Sequence, residues 1–245
     1  MNGGPPNRIH AWLQLLRVPN LLTVPGDPLA GYLLATGATI PCTSAWLPVV
    51  LAGLCFYAAG LILNDLCDLE EDRRARPQRP LPSGAITTHR ARRLFFLIMI
   101  LALVLSFVGR PQAGVVGLFL AVSIMLYNLV GKRIPVFGPL NMGVCRGLNL
   151  LLGAAAADVP LFSLKPWIAA GVLTAYVSAV SQYARHETED PARPARVGAL
   201  LRVLLILQAV FAAVSGADGA AWTAAIVLTA LWPVAGLLSR RFYMS

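Results

Sequence analysis

A run of acidic residues directly follows an uncharged apolar segment and carries the most specific chemistry of the chain. It starts at Asn64 and contains Asp65, Asp68 and Asp72. In a helix, the i, i+3 and i+7 spacing of these aspartates places three carboxylates on one narrow face. Three anions repel one another, and a hard divalent cation such as Mg²⁺, which prefers carboxylate and phosphate oxygens, would offset that repulsion. The spacing therefore indicates a Mg²⁺ and phosphate site, with Asn64 supplying a neutral oxygen.

Proximity to the membrane separates this run from an ordinary charged loop. Glu70, Glu71 and the arginines after them suit a loop in solvent. Asp65 does not, because it follows the apolar residues 61–63 and Asn64. Ionisable groups so close to hydrocarbon are costly, and they are usually paired or functional.

The composition is that of an integral membrane protein. The 245 residues are 57% hydrophobic and 13% charged, with a mean hydropathy of +0.68. Because lipid satisfies no backbone hydrogen bonds, the apolar segments should be helices. We expect an all-α polytopic bundle of about eight transmembrane helices, forming a single domain over residues 1–245. The eight segments are Val18–Thr39, Ala45–Leu63, Leu94–Gly109, Ala113–Val130, Pro139–Ala156, Pro166–Ala184, Val197–Gly216 and Ala220–Leu238.

The basic residues are distributed unevenly between the two sides of the predicted membrane. Most of the 20 Lys and Arg residues fall on the side of the acidic run, whereas Arg110 and Lys165 lie opposite and Arg146 falls within a span. This asymmetry predicts a plasma-membrane protein whose two termini and acidic loop are cytoplasmic. The same asymmetry explains the net charge of +9 as a feature of membrane orientation, so we expect no nucleic-acid partner.

A second polar stretch follows the sixth predicted span. Gln182, His186 and Glu189 can share a helical face there, and His186 and Asp190 have an i, i+4 spacing. The two polar stretches follow the second and sixth spans, which suggests that two helix ends face each other on the cytoplasmic side. An ordinary amphiphilic helix end would explain the second stretch equally simply.

The first polar stretch as a whole resembles the first signature of the UbiA superfamily of intramembrane prenyltransferases. In this chain the signature reads N-D-L-C-D-L-E-E-D and then R-P-Q-R-P-L-P-S-G from Arg76 to Gly84. The resemblance extends to Arg17-Val18-Pro19-Asn20, to Tyr127 with Lys132-Arg133, and to Arg146-Gly147-Leu148-Asn149. Within the superfamily the pattern is most similar to the branch called EboC.

The resemblance implies a bundle around a lateral cavity and the transfer of an isoprenyl group from its diphosphate to an acceptor. Mg²⁺ would bridge the acidic motif to the diphosphate, and the usual acceptor of the family is an aromatic ring. The partners implied are an isoprenyl diphosphate, a lipophilic or aromatic acceptor and membrane lipid. Asp65, Asp68 and Asp72 are then the expected metal ligands and catalytic residues. The expected substrate-binding residues are Asn20, Asn64, Arg79, Tyr127, Lys132, Arg133, Arg146, Asn149, Tyr183, Arg185 and His186.

Two of these residues have a second interpretation. Arg146 lies too deep in an apolar helix to reach either interface easily, so it needs an anionic partner. That partner is either Asp27, the acidic residue of the first span, or the diphosphate with its aspartates. Asn20 is either a hydrogen bond between helices or a polar group of the cavity.

The chain departs from the family pattern in two places. The second polar stretch lacks the leading aspartates of the family, so Arg185 and His186 could bind phosphate directly, while Glu187 and Asp190 could supply metal ligands. The family commonly has nine spans, and a membrane partner could complete a bundle of eight. These departures leave open a non-catalytic component that binds or exports lipid diphosphates. A secondary transporter would explain Asp27 and Arg146, but not the spacing of the first signature.

Overall fold

The regular elements of this computed structural model are all helical within the residues it describes, which are 8–37, 43–158, 163–185, 192–216 and 218–242. The all-α prediction is therefore confirmed. The helices are α1 Arg8–Leu15, α2 Val18–Leu21, α3 Gly26–Thr36, α4 Thr43–Cys67, α5 Leu69–Ala75, α6 Thr88–Gly109, α7 Pro111–Leu129, a 3₁₀ helix Gly131–Arg133, α8 Phe137–Ala155, α9 Leu164–Ala184, α10 Arg193–Ala213 and α11 Gly219–Phe242.

Five helices of the described residues are long and apolar enough to cross a membrane. They agree with the second, third, fourth, seventh and eighth predicted spans. The helices α8 and α9 have similar lengths but are not among the five, and α8 carries Arg146 and Asn149 within its apolar sequence. The chain is therefore an integral membrane protein with several transmembrane helices. The five segments are Ala45–Cys67, Thr88–Gly109, Pro111–Leu129, Arg193–Ala213 and Gly219–Leu238.

The first predicted span is wrong as a single helix. The structure has the four-residue helix α2, a break over residues 22–25, and then α3, which ends at Thr36. Pro25 is the N-cap of α3, and Pro28 lies in its first turn. Proline lacks the backbone N–H that a continuous helix needs at these positions, whereas it is tolerated in a first turn. Mean hydropathy does not detect such a break.

The third predicted span begins earlier than expected, at Thr88 instead of Leu94. The Oγ1 atom of Thr87 accepts a hydrogen bond from the backbone N–H of Arg90 over 3.4 Å. Thr87 is therefore the N-cap of α6. Arg90, Arg92 and Arg93, which precede the third predicted span, are part of this helix.

The helices α3 and α8 cross at very short distance because glycines lie at the contact. A β-carbon added at Gly31 would lie 1.9 Å from the carbonyl oxygen of Leu150, and one added at Gly153 would lie 1.8 Å from the carbonyl oxygen of Pro28. Small residues that allow such an approach are typical of helix contacts in membranes. The crossing brings the first turn of α3 against the middle of α8.

The loop after α5 folds back onto the bundle. Leu81 and Ile86 are buried in the core that includes Phe56 and Ile62 of α4. Gly84 has a φ of +78°, a value that glycine adopts without steric cost. The loop therefore has a fixed path, and it carries Arg79 next to the acidic run.

Candidate functional site

The acidic run follows a nearly continuous helical path. The helix α4 ends at Cys67, and Asp68 forms the junction with α5. The N–H of Asp68 donates to the carbonyl of Asn64 over 3.0 Å, and the N–H of Asp72 donates to the carbonyl of Asp68 over 2.8 Å. Because the i to i−4 bonds continue through the junction, the run keeps the helical spacing that the sequence predicted.

Two of the three aspartates are buried and held by arginines. Asp65 is 6% exposed, and its Oδ1 lies 3.3 Å from Nη2 of Arg17. Asp72 is 2% exposed, and its Oδ2 accepts from Nη1 of Arg79 over 2.8 Å, while Nη1 of Arg76 lies 3.6 Å from its other oxygen. Burial of a charged carboxylate requires such compensation. Arg17 lies between α1 and α2, whereas Arg76 and Arg79 lie in the loop that follows α5.

The third aspartate is bound by a lysine from a distant part of the chain. The Nζ atom of Lys132, in the 3₁₀ helix after α7, donates to Asp68 and lies 3.5 Å from Oδ1 of Asn64. Tyr127 lies two residues before the end of α7, in the same region as Asp68. The structure therefore brings Asn64, Asp68 and Lys132 together with Tyr127 nearby, and the substrate-binding roles of these residues stay predictions.

The end of α9 approaches the same region. Nη1 of Arg185 donates to the carbonyl oxygens of Ile134 and Pro135, over 2.8 Å and 2.7 Å. These carbonyls belong to the segment that follows Lys132 and Arg133. The contact attaches the end of α9, which is the sixth predicted span, to the segment that follows Lys132.

A cleft of about 610 Å³ opens beside the acidic helix. Arg74 and Arg133 line it, and neither guanidinium has a hydrogen-bond or ion-pair partner among the described residues. Guanidinium groups can bind phosphate or carboxylate oxygens with two parallel hydrogen bonds. The remaining lining residues are Cys67, Asp68, Glu70, Glu71, Ala75 and Lys132.

The donors of the acidic run fit Mg²⁺ in chemical type, because they are carboxylate and amide oxygens. Within the part of the chain that the structure describes, no three Asp, Glu, His or Cys side chains are grouped around a common point. Each carboxylate faces a cation instead. Asp65, Asp68 and Asp72 could hold the ion only after turning from these basic partners.

Arg146 and Asn149 lie elsewhere, around Asp27. The Nε atom of Arg146 is 3.0 Å from Oδ2 of Asp27, and Nδ2 of Asn149 donates to the same oxygen over 3.1 Å. Of the two partners considered for Arg146, the structure has Asp27. A contact of Arg146 or Asn149 with substrate stays a prediction that none of these bonds supports.

The other expected site residues have separate locations. The carbonyl of Asn20 accepts from Oγ1 of Thr23 over 2.8 Å. The guanidinium carbon of Arg193 lies over the ring of Tyr183, 5.1 Å from the ring centroid, and this contact joins α9 to α10. His186, Glu187 and Asp190 lie outside the described residues. Their substrate and metal roles stay predictions.

Three residues of the site region were missed by reasoning from the sequence. Arg17 binds Asp65, Arg76 approaches Asp72, and Gln208 donates to Asp27. Two features of the sequence could have indicated such residues. They are the arginine in the Arg-Val-Pro-Asn string and the glutamine in the middle of the apolar helix α10. Neither feature names its partner, because the partner is far away in sequence.

The opposite end of the bundle carries a different ion pair. Arg110, between α6 and α7, donates to Asp158, which follows α8. This hydrogen bond, together with the charge of Arg110, holds the pKa of the exposed Asp158 carboxyl below its ordinary value. The pair joins two helix connections on the side away from the acidic run.

Comparison with known proteins gives the family and the fold. The model of the UbiA prenyltransferase family matches residues 28–244. The digeranylgeranylglyceryl phosphate synthase of Saccharolobus solfataricus is 26% identical over 148 residues, which are 60% of this chain and 52% of that protein. The one of Methanocaldococcus jannaschii is 31% identical over 150 residues, with 61% and 52% coverage. The chain thus spans about half the length of these curated relatives.

A solved UbiA homologue is similar along nearly the whole chain. The structure from Archaeoglobus fulgidus, bound to DMAPP and Mg²⁺, has a TM-score of 0.59 and 18% identity, and covers 94% of this chain and 87% of its own. This likeness confirms the UbiA-like fold that the sequence predicted. Given the family match over most of its length, the chain belongs to the UbiA prenyltransferase family.

Proposed function

We propose that the chain is a Mg²⁺-dependent prenyltransferase that moves an isoprenyl group from an isoprenyl diphosphate to an acceptor within the membrane. The observation that carries this proposal is the convergence of Asp65, Asp68 and Asp72 with cations from three separate segments at one end of the bundle. Carboxylates for a metal and basic groups for phosphate are the two components that diphosphate chemistry needs.

The basic residues would bind the diphosphate and stabilise its departure. Arg17, Arg79 and Lys132 already lie beside the acidic run, so short side-chain movements could bring them to phosphate oxygens. When bound, Mg²⁺ would neutralise negative charge on the leaving pyrophosphate. The bond between C1 of the isoprenyl group and oxygen breaks with its electron pair on pyrophosphate. The acceptor then forms a bond to C1 and loses a proton.

The bundle itself would protect the reaction. A positively charged allylic carbon reacts readily with water, and a largely apolar set of helices keeps water away from it. Tyr127 lies near Asp68, where its ring could stabilise a positive carbon. The membrane-spanning helices would then have a chemical role in addition to anchoring the protein.

Two acceptor classes follow from different observations. The name of the synthases to which the chain is similar indicates a glyceryl phosphate that carries a geranylgeranyl group. Arg74 and Arg133, which line the cleft, would supply cations for such a phosphate-bearing acceptor. The aromatic acceptor expected from the sequence is the second candidate, and membership of the EboC branch stays a prediction alongside it.

The orientation is also part of the proposal. The Lys and Arg distribution supports a plasma-membrane protein with the acidic run and both termini in the cytoplasm. A further membrane protein that completes the bundle is consistent with the smaller number of predicted spans. Isoprenyl diphosphates would then enter from the cytoplasm, with their tails among the helices.

Pyrophosphate release tests the proposed reaction. The purified protein in nanodiscs should release pyrophosphate from geranylgeranyl diphosphate when Mg²⁺ and geranylgeranylglyceryl phosphate are present. Asp68→Asn should lower the rate by about a hundredfold or more, because it removes a carboxylate that would hold the Mg²⁺ needed to neutralise the leaving pyrophosphate. A hydroxylated benzoate in place of the glyceryl phosphate tests the aromatic alternative.

The matched control is Asp158→Asn, which removes an aspartate on the opposite side of the bundle. Its rate should equal that of the parent protein. Binding of the diphosphate without pyrophosphate release, for both acceptor classes, would contradict the enzyme and favour the non-catalytic binding component.

A further inference from the structure

The break between α2 and α3 leaves backbone carbonyls deep inside the bundle. The carbonyl of Thr23 accepts from Nη2 of Arg146 over 2.8 Å and from Nε2 of Gln208 over 2.7 Å. Nδ2 of Asn149 lies 3.4 Å from the carbonyl of Val24. Irregular backbone at membrane depth is tolerated only where neighbouring groups satisfy it. Three side chains from two other helices therefore satisfy the carbonyls that the break exposes.

Asp27 organises these donors. It is fully buried in the first turn of α3, where the positive end of the helix dipole favours an anion. Its Oδ2 lies 3.0 Å from Nε of Arg146 and 3.1 Å from Nδ2 of Asn149. Its Oδ1 accepts from Nε2 of Gln208 over 2.5 Å. The carboxylate thus fixes the same three side chains that bind the broken backbone.

Glycines make room for the two amides. A β-carbon added at Gly53 of α4 would lie 2.5 Å from Oδ1 of Asn149, and one added at Gly26 would lie 2.1 Å from Oε1 of Gln208. Asn149 therefore packs directly against the helix that ends in the acidic run. The network consequently links α3, α4, α8 and α10 around the break.

A short chain of hydrogen bonds leads from the break to the acidic site. The N–H of Thr23 donates to the carbonyl of Asn20 over 3.1 Å, and the N–H of Asn20 donates to the carbonyl of Arg17 over 2.8 Å. Arg17 has a φ of +46°, a left-handed conformation that a residue with a β-carbon rarely adopts. Such a conformation persists only when the surrounding structure imposes it.

We infer that Asp27, Arg146, Asn149 and Gln208 act together as positioning residues that hold the break and thereby keep Arg17 at Asp65. Gln208 is the most informative member, because it donates to both Thr23 and Asp27 from α10, 185 residues away from Thr23. Through it, the late helix α10 controls the geometry of a site built from the first half of the chain. None of the four residues needs to touch substrate.

Hydrogen exchange tests the inference without any substrate. Gln208→Leu keeps the approximate size of the side chain and removes both hydrogen bonds. In the purified full chain, amides of residues 17–27 should exchange roughly tenfold faster than in the parent, as expected for the loss of two buried hydrogen bonds. The amides of α6, which the network does not touch, should exchange unchanged.

The matched control is Ser215→Ala. Ser215 is a buried polar residue near the end of α10, and its hydroxyl donates to Ala212 within the same helix end. Its removal should leave exchange over residues 17–27 unchanged. Equal acceleration in both variants would mean that the network only adds general stability, and it would overturn the inference.

The ion pair separates positioning from stability. Arg146→Leu leaves Asp27 buried without its cation and should unfold easily, whereas the double variant Asp27→Leu with Arg146→Leu should regain most of the parent's unfolding temperature. The double variant still lacks one of the two donors to the Thr23 carbonyl, and Gln208 has lost Asp27, so exchange over residues 17–27 should stay fast. Parent-like slow exchange in both this variant and Gln208→Leu would overturn the inference.

Binding adds a functional readout that rests on the proposed function. Gln208→Leu and the double variant should bind geranylgeranyl diphosphate with Mg²⁺ about tenfold more weakly than the parent, because Arg17 is no longer held in place. If the parent itself fails to bind, the proposed function fails while the exchange result still tests the network. If the parent binds and both variants bind equally well, the positioning role is wrong.

Discussion

Arg17 combines an unusual backbone conformation with a contact at the site. It is the non-glycine residue with a positive φ among the described residues, and it is also the partner of Asp65. The left-handed conformation costs about 1–2 kcal/mol for a residue with a β-carbon. Glycine would be less strained at this position, but it would lack the guanidinium that contacts Asp65. At the residue scale, the strain is therefore a consequence of placing a cation next to a buried carboxylate.

Replacement of Arg17 should separate the backbone strain from the charge. Arg17→Gly and Arg17→Ala lose the same guanidinium, but only alanine keeps the strain. We expect Arg17→Gly to be more stable than Arg17→Ala by about 0.5–1 kcal/mol, measured by chemical unfolding in detergent. Both should bind prenyl diphosphate more weakly than the parent, to the same extent. Higher stability of the alanine variant would contradict the left-handed conformation.

The Arg110 and Asp158 pair should add a small pH-dependent contribution to stability. The folded protein holds the pKa of Asp158 below its ordinary value of 3.8. A lowered carboxyl pKa stabilises the fold above the ordinary value, and this stabilisation is lost as the pH falls through the lowered pKa. Asp158→Asn should therefore melt slightly below the parent at neutral pH.

Melting curves of the two proteins at several pH values check this expectation. The difference should shrink as the pH falls below the ordinary carboxyl range, and it should be small throughout because the pair is exposed. A difference that grows on acidification would mean that Arg110 does not stabilise the charged form of Asp158.

The geometry of the site depends most on the contact between the helices α3 and α8. It brings Asp27 to Arg146 and Asn149, and it is possible only because Gly31 and Gly153 have no side chain. Neither helix is among the candidate spans of the described residues, since α3 is short and α8 carries an arginine. Polar residues are tolerated in these helices because they satisfy one another and the broken backbone.

Gly153→Ala should disrupt this contact. The added β-carbon would lie 1.8 Å from the carbonyl oxygen of Pro28, so the helices must separate, at a cost of about 1–3 kcal/mol or more. We expect a marked fall in unfolding temperature.

The control is Gly171→Ala in α9, where an added β-carbon meets nothing within 4 Å. That variant should be as stable as the parent or more stable by up to about 1 kcal/mol, since alanine favours a helix. Equal melting of both variants would contradict the close crossing of α3 and α8.

The parts of the site that could be predicted are local in sequence or belong to a signature. Asp72 and Arg79 are seven residues apart in one motif, and both were expected at the site. Lys132 was expected from the family resemblance, although it lies 64 residues from Asp68. The break in the first span was missed because mean hydropathy is insensitive to a single turn. Gln208 was missed because its partners depend on helix packing that no local pattern encodes.

The whole molecule carries its polar groups in three separate places. One end carries the acidic run with its cations, the opposite end carries the Arg110 and Asp158 pair, and the Asp27 network lies within the bundle. We propose, from the distribution of basic residues, that the acidic end is cytoplasmic. This arrangement would expose the acidic run to water-soluble ions while the apolar helices face lipid.

Labelling of intact cells should reveal the orientation. A membrane-impermeant maleimide should react with Gln112→Cys, at the exposed start of α7, because that position lies near Arg110 on the predicted outer side. It should not react with Glu70→Cys, at the exposed start of α5, until the cells are opened. Labelling of the parent protein measures the background reaction of its native cysteines. The reverse labelling pattern would contradict a cytoplasmic acidic run.

Ligand-induced thermal stabilisation measures whether the acidic run holds Mg²⁺ and a prenyl diphosphate together. Geranylgeranyl diphosphate with Mg²⁺ should raise the unfolding temperature of the parent and of Asp158→Asn, since a ligand at a hundred times its Kd adds about 2.7 kcal/mol. Geranylgeranyl diphosphate alone or Mg²⁺ alone should give a smaller rise in the unfolding temperature. Asp65→Asn, Asp68→Asn and Asp72→Asn should lose this rise relative to their own ligand-free state. A Mg²⁺-dependent rise of parental size in all three variants would contradict the account.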